Sequence, residues 1–311
     1  MTSQVRAQVD KFLTKHSNMI VPQGYISEMI LPEHKSVQTT GLLGRYGNEH
    51  LRIVNSFTGG KGEYSIADTV SRASDSYAIE HHGLKSMVTP EDMANVELPF
   101  DAEKDKVETL TTMLWLQKEK ALADVLGDNS IITQTQVPTV KYDNYSGTQE
   151  LLQNVNDAQA TIYDSVGAKP NTAIMSQKVA TALRFNPDLL DSLGYKDNRP
   201  GGLNEAELAR ALDVDRVLIG GAVYNSAALG QADSLAPVWG PDLIFAVCPT
   251  NLALRQMTLG VRVQFAGRSP RQVFRSFVDE PVNSRKIIVV DDYDQVITRA
   301  SAAYLLENVL T

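Results

Sequence analysis

Between Asp101 and Gly127 the apolar residues fall into helical phase. Val107, Leu110, Leu114, Ala121 and Val125 stand three, four or seven positions apart. Pro99-Phe100-Asp101 supplies a start, with Asp101 as the cap and Glu103 in the first turn, where the helix dipole favours an acid. Gly127 supplies the stop. The pattern predicts one helix of about 25 residues, roughly 38 Å long at 1.5 Å per residue. That is longer than a small domain is wide, so the helix must run along its domain as a spine.

What flanks this spine is poorly suited to a compact monomer. Ser3 to His16 places Val5, Val9 and Phe12 at helical spacing beside Leu13, a short amphipathic helix with Ser3 as its cap. From Ser17 to Asn48, Pro22, Gly24, Pro32, Gly41, Gly44 and Gly47 are too dense for a long helix. Yet Ile20, Val21, Ile26, Met29, Ile30 and Leu31 need cover, as in an arm that lies on something else. His50 to Glu80 alternates through Leu51 and Ile53, turns at Gly59, Gly60, Lys61 and Gly62, and continues through Tyr64 and Ile66. This reads as a long hairpin, and two strands without a packed face are marginal in water.

Beyond a polar stretch at Lys141 to Gly147, helices and strands alternate. Helices are expected over Thr148 to Ser165, from a cap at Ser176 to about Leu183, and over Asn204 to Leu212. Strands are expected at Thr172 to Met175, Arg216 to Tyr224 and Leu243 to Val247. Gln272 to Val290 alternates in strand fashion, and Ser301 to Leu310 closes the chain. The fold class is α+β, with room for two domains in 311 residues.

Composition narrows the function. The net charge of -8 argues against a protein built to grip nucleic acid through its phosphates. The first eighteen residues lack the uninterrupted apolar core of a signal peptide, and no apolar run approaches the roughly 20 residues that span a bilayer. The single cysteine, Cys248, lies in the apolar run from Leu243 and is expected to be a buried, inert thiol. His16, His34, His50, His81 and His82 all precede the α/β-like region, which leaves a Ser-His-Asp site there without its base. Glu80-His81-His82 is read as a solvated group near a turn, since neighbours on a strand point apart and cannot share a metal. Asp291-Asp292-Tyr293-Asp294 is read as a solvated acidic turn, lacking calcium-loop spacing. Gly59-Gly60-Lys61-Gly62 fails the phosphate-loop pattern, and Gly220-Gly221 fails the dinucleotide one. No catalytic, cofactor or metal residues are expected. Arg255, Arg262, Arg268, Arg271 and Arg275 form a basic stretch with no acid between them. Three readings stand: neutralisation within the same fold, an acidic surface on a neighbouring subunit, or enclosed nucleic acid.

Four segments resemble the lambda-type tailed-bacteriophage major capsid proteins, whose shell fold was first described in a Hong Kong phage. They are AIEHHGLKSMVTPEDMAN leading to the spine and its WLQKEKALADVLGD end, PNTAIMSQKVATALRFNPDLLDSL, LARALDVDRVLIGGAVYNSA followed by Val238-Trp239-Gly240, and RKIIVVDDYDQVITRASAAYLLENV. The resemblance runs from about Ser17 to Leu310. It implies an N-terminal arm at 1–49, an extended hairpin loop at 50–85, a peripheral domain at 86–146 and 271–300 with its spine at 102–126, and an axial domain at 147–270; residues 301–311 are assigned to neither. It implies a non-enzymatic protein without cofactors that forms hexamers and pentamers of an icosahedral shell around double-stranded DNA. The implied partners are further copies, a separate scaffolding protein and a portal, with a decoration protein as a further candidate. Synthesis is expected in the host cytoplasm, with no membrane partner. Gly59, Gly60, Lys61, Gly62, Arg262, Arg268, Arg271 and Arg275 are the inter-subunit contact candidates. Lys61 is read as a solvated tip charge: its match to a relative's cross-linking lysine stops at its place in the loop. An encapsulin-type compartment, with the same fold around a cargo enzyme, is the alternative, and a soluble enzyme with its site between two domains is the rival of another class.

Overall fold

The computed structural model describes residues 8–46, 53, 72–95, 101–145, 150–194, 202–228, 230–250, 257–275 and 284–311. The spine helix spans Ala102–Leu126, as its sequence predicts. The Asp101 carboxylate accepts the backbone N–H of Glu103 at 3.1 Å and of Lys104 at 3.4 Å, and the helix ends at Gly127. Its buried face departs from the expected one in the second half. Val107, Leu110 and Leu114 are buried, but Ala121 is exposed and Val125 half-buried, while Leu122, Ala123 and Leu126 point inward. The physical reason is that the helix serves two cores. Its first half packs with Leu13, Val88, Val273, Ile287 and Val289. Its second half packs into a larger core of strands and helices from the rest of the chain.

The first core lies under a sheet organised by one long strand, Arg285–Ile297. Glu80–Val88 pairs antiparallel along one side of it; along the other run Gln272–Arg275 and then Gly260–Phe265. Gln8–Val9 and Glu33–Ser36 add outer strands. The continuous alternation expected over Gln272 to Val290 thus belongs to two strands, with 276–283 outside the described residues. The acidic run 291–294 lies inside the long strand, not in a turn, and Glu80 to His82 lies in its neighbour. Alternation of Ile287, Val289, Asp291 and Tyr293 on the spine side sets that register.

The N-terminal helix also differs from its expected span. It runs Lys11–Met19, and Asp10 is its cap, accepting the N–H groups of Phe12 and Leu13 at 3.0 Å each. Gln8–Val9 is a strand instead, because its backbone pairs with Phe274 and Arg275; Ser3 lies outside the described residues. The arm then forms a short helix, Ser27–Ile30, before Glu33–Ser36. Thr40–Tyr46 pairs with Arg72–Ala78, so the hairpin stem begins at Thr40. The turn expected at Gly59 to Gly62, with its flanking Leu51, Tyr64 and Ile66, lies outside the described residues.

The second sheet runs Thr135–Gln136, Ala303–Leu306, Leu243–Ala246, Thr172–Ser176, Arg216–Gly220. Its three middle strands are buried at every residue, which is why they read as apolar runs rather than alternations. Helices Leu151–Val166, Gln177–Arg184 and Glu205–Ala211 pack beside it. The latter two begin at the expected caps, Ser176 and Asn204, and Asn204 forms a reciprocal capping box with Glu207. Tyr142, in the polar stretch expected as a boundary, is buried in this core. Cys248 is buried and free, and burial raises its thiol to about 12.

The strand expected over Arg216 to Tyr224 breaks after Gly220; Val223–Asn225 pairs separately with Leu235–Pro237. The break lets the backbone pass close to other elements. A Cβ on Gly220 would sit 2.1 Å from Cδ1 of Trp239, and the Gly221 N–H donates to the carbonyl of Gly24 at 2.9 Å. Gly220→Ala should therefore cost about 1–3 kcal/mol through overpacking. Leu114→Ala, at a residue 4% exposed, should cost about 2–5 kcal/mol. Urea denaturation checks both, and an unchanged midpoint in either would contradict the packing described.

Candidate functional site

The arm, the spine and the first sheet meet at a cluster of buried charges. The spine supplies Lys118, 1% exposed. Its ammonium reaches Glu28 of the arm at 3.0 Å and Asp291 of the long strand at 3.4 Å. It also lies 4.4 Å from the centre of the Tyr293 ring. Glu28 Oε1 takes Lys118, Arg262 and Arg271, the last at 3.3 Å. Arg271 lies over the Trp115 ring at 4.5 Å. Asp291 accepts the Gln264 amide at 2.9 Å. An ammonium with so little access to water requires such partners.

Glu119, the next spine residue and fully buried, turns toward the second core. Its carboxylate accepts the backbone N–H of Ile26 at 2.9 Å and of Ser27 at 2.8 Å. It thereby satisfies N–H groups at the start of helix Ser27–Ile30, which has no side-chain cap of its own. The Trp239 indole N–H donates to the same carboxylate at 2.8 Å. Two adjacent spine residues thus tie the arm to both sheets.

Among the site candidates, Arg262 and Arg271 converge on Glu28, and both are buried. Arg262 also approaches Glu33 at 3.9 Å. Arg268 and Arg275 go elsewhere and stay partly exposed. Arg268 meets Asp292 at 3.0 Å; Arg275 meets Glu103 at 3.0 Å and Asp10 at 3.6 Å. Each of these four arginines therefore has a carboxylate partner in its own chain. Gly59, Gly60, Lys61, Gly62 and Arg255 lie outside the described residues.

The acidic run is not the solvated turn its composition suggested. Asp291 and Asp292 are buried, and Asp294 accepts the Ala78 N–H at 2.8 Å. Nor are the adjacent histidines beside a turn. His81 pairs with Asp292 and keeps most of its surface in solvent, while His82 stacks on Tyr293 with ring centres 4.6 Å apart. Lys118, Glu119 and Glu28 escaped the sequence reading because charged residue types are rarely buried and the apolar pattern passes over them. A signal was present: Leu114, Lys118 and Leu122 are spaced by four, so Lys118 falls on the apolar row. Among the described residues no three His, Cys, Asp or Glu side chains gather as a metal site, and no helix is long and apolar enough to cross a membrane.

Burial opposes ionisation of Glu28, but Lys118, Arg262 and Arg271 outweigh it and hold the carboxyl below its usual 4.5. Burial likewise opposes ionisation of Asp291; Lys118, the Gln264 amide and Arg271 outweigh it and hold the carboxyl below its usual 3.8. This chemistry fastens elements together.

The hairpin stem packed on the first sheet, the strapped arm and the spine shared by two cores make a structural framework. No family model matches the chain. Over 312 aligned residues it is 20% identical to the major capsid protein of Burkholderia phage BcepMu, covering 97% of this chain and 96% of that protein. It is 25% identical over 252 residues to the major capsid protein of Pseudomonas phage JBD67, covering 79% and 77%. The crystal structure of a phage-related protein from Bordetella bronchiseptica RB50 superposes with a TM-score of 0.73, at 23% identity and 98% coverage of both chains. Solved phage capsids share the fold at lower identity. The chain has the phage major-capsid fold, and its curated relatives are phage major capsid proteins, as the four sequence segments led one to expect.

The junction makes two predictions. Lys118→Ala should cost about 3–5 kcal/mol, because Asp291 would keep its charge in the interior without its ammonium. The lowered carboxyls also set a pH dependence. Their contribution is complete above the ordinary carboxylate range, about pH 4–5, and is lost as pH falls through the lowered values. Denaturation midpoints across an acid series should fall on acidification, and Asp291→Asn should give a lower plateau with a shallower acid limb. An identical limb in the variant would exclude Asp291 as a contributor.

Proposed function

We propose that this chain is the major capsid protein of a tailed phage, and that its copies assemble into hexamers and pentamers of an icosahedral shell around double-stranded DNA. The observation that carries this is the match to a phage major capsid protein over 97% of this chain and 96% of that one. The role is structural, not catalytic, and its place is the virion. Residues 1–49 act as the arm, 50–85 as the extended loop, 86–146 and 271–300 as the peripheral domain, and 147–270 as the axial domain. Two sheets with separate cores on one spine favour two domains, but the bounds shift at Gly260–Phe265 and Glu80–Val88, which pair in the first sheet, at Thr40–Tyr46, which begins the hairpin stem, and at Thr135–Gln136, which pairs in the second sheet. Gly59 to Gly62, Arg268 and Arg275 serve contacts between subunits, and Arg262 and Arg271 serve them through the arm they hold. Synthesis takes place in the host cytoplasm. A scaffolding protein and a portal are separate partners, and a decoration protein a further one. DNA is enclosed without sequence-specific contacts, in keeping with the net charge of -8.

Electron microscopy of the purified protein tests this directly: shells or capsomers are expected, and a monomer at every concentration would refute it. Deleting Gly59 to Gly62 refines the test. Circular dichroism should show a folded subunit, because loop tips remote from a core tolerate change, while shells should be lost. Normal shells would contradict the role given to the loop.

A further inference from the structure

The arm bridges the two sheets through its main chain, and its two ends are built differently. At the first sheet it is a strand. Glu33–Ser36 pairs parallel with Gly260–Phe265. The Arg262 N–H donates to the Pro32 carbonyl at 3.0 Å, and the Ala266 N–H donates to the Ser36 carbonyl at 2.7 Å. Glu28, with its three cations, fastens the same end. Between the ends Ile26, Ile30 and Leu31 sink into the larger core.

At the second sheet the arm has no ladder, and two hydrogen bonds to its carbonyls hold it. The Gly221 N–H donates to the Gly24 carbonyl at 2.9 Å. Gly24 stands at φ +82°, where a Cβ would lie 3.0 Å from the Cα of Gly221, so this approach needs glycine. Nη2 of Arg216 donates to the Met29 carbonyl at 3.1 Å. Met29 is itself 57% exposed, so the grip is on the main chain. Arg216 opens the edge strand Arg216–Gly220, and the sheet sets its guanidinium. Nε donates to Thr172 Oγ1 at 3.0 Å, and Nη2 to the Cys248 carbonyl at 3.0 Å. One planar fork thus joins the second sheet to the arm, with a charge that strengthens each bond.

We infer that the arm is a clasp between the two sheets, with Arg216 as its catch. The first-sheet end is fixed by strand pairing and ions. The second-sheet end opens on its own, as elements with few buried contacts do below the global transition. Only the closed form holds the two sheets in the placement that assembly uses. The link to assembly rests on the shell-forming reading; the clasp does not.

Amide hydrogen exchange reads the two ends separately, because each has body amides whose acceptors are arm carbonyls. Gly221 reports the second-sheet end, and Arg262 and Ala266 report the first. Full-length wild type is compared with Arg216→Met, Arg216→Lys and Gly24→Ala, all of which should show the same folded circular dichroism. In Arg216→Met and Gly24→Ala the Gly221 amide should exchange at least about tenfold faster, a local opening eased by ~1.4 kcal/mol. Arg262, Ala266 and Phe245, in the buried strand Leu243–Ala246, should keep wild-type rates. Arg216→Lys keeps the charge without the fork and should lie between. Electron microscopy should show shell yield lowered at least about tenfold, the effect of the same ~1.4 kcal/mol, in the two open variants. An unchanged Gly221 rate in Arg216→Met overturns the catch. Equal acceleration at Phe245 or Arg262 overturns it as well, since Arg216 would then only stabilise the whole fold. Faster exchange at Gly221 with wild-type shell yield overturns the link to assembly. Wild type that forms no shells overturns the shell-forming reading whatever the Gly221 amide does, so the failures are distinguishable.

Discussion

The Lys118 ammonium sits where water can scarcely reach it, and much of the molecule is arranged around that fact. A buried cation needs carboxylates, and these come from the arm through Glu28 and from the long strand through Asp291. Glu28 draws in Arg262 and Arg271. The arm helix Ser27–Ile30, with little core of its own, is held by this charge network on one side and by the Glu119 carboxylate on its backbone N–H groups. Apolar packing of that helix would tolerate a shift of position; a carboxylate held by three cations does not. Ionic contacts of this kind set where elements sit more than how strongly they adhere.

The spine gives this geometry its reach. One helix belongs to two hydrophobic cores, and its buried row changes between them, so the sheets are coupled through a rigid element rather than through a linker. Lys118 and Glu119 lie where the helix passes from one core to the other. The arm lies across this coupled framework, with Ile26, Ile30 and Leu31 buried in the larger core and Glu33–Ser36 paired in the first sheet.

Local signals carried much of the secondary structure. Asp101 and Gly127 bound the spine, Ser176 and Asn204 start their helices, and the buried strands show as apolar runs. Each of these depends on residues within a turn or two of one another. The errors lie where distant contacts decide. Gln8–Val9 pairs with a strand more than 260 positions away, which no helical spacing near the N-terminus could reveal. The run Asp291 to Asp294 has the composition of a turn but the setting of a central strand, because Lys118, Gln264 and Arg268 neutralise or bond it. Gly220 looked like a failed nucleotide motif, and its reason is the Trp239 ring beside it.

The sequence by itself determined the spine, the class of fold, the caps at Asp101, Ser176 and Asn204 and, through the order of four segments, the likeness to phage shell proteins. These rest on periodicity and short-range hydrogen bonding, which are written in neighbouring letters. The tertiary structure alone decided which charges are buried and which arginines converge. Lys118 meets partners 90 and 173 residues away, and whether a charge is solvated or buried depends on those partners, not on its own identity.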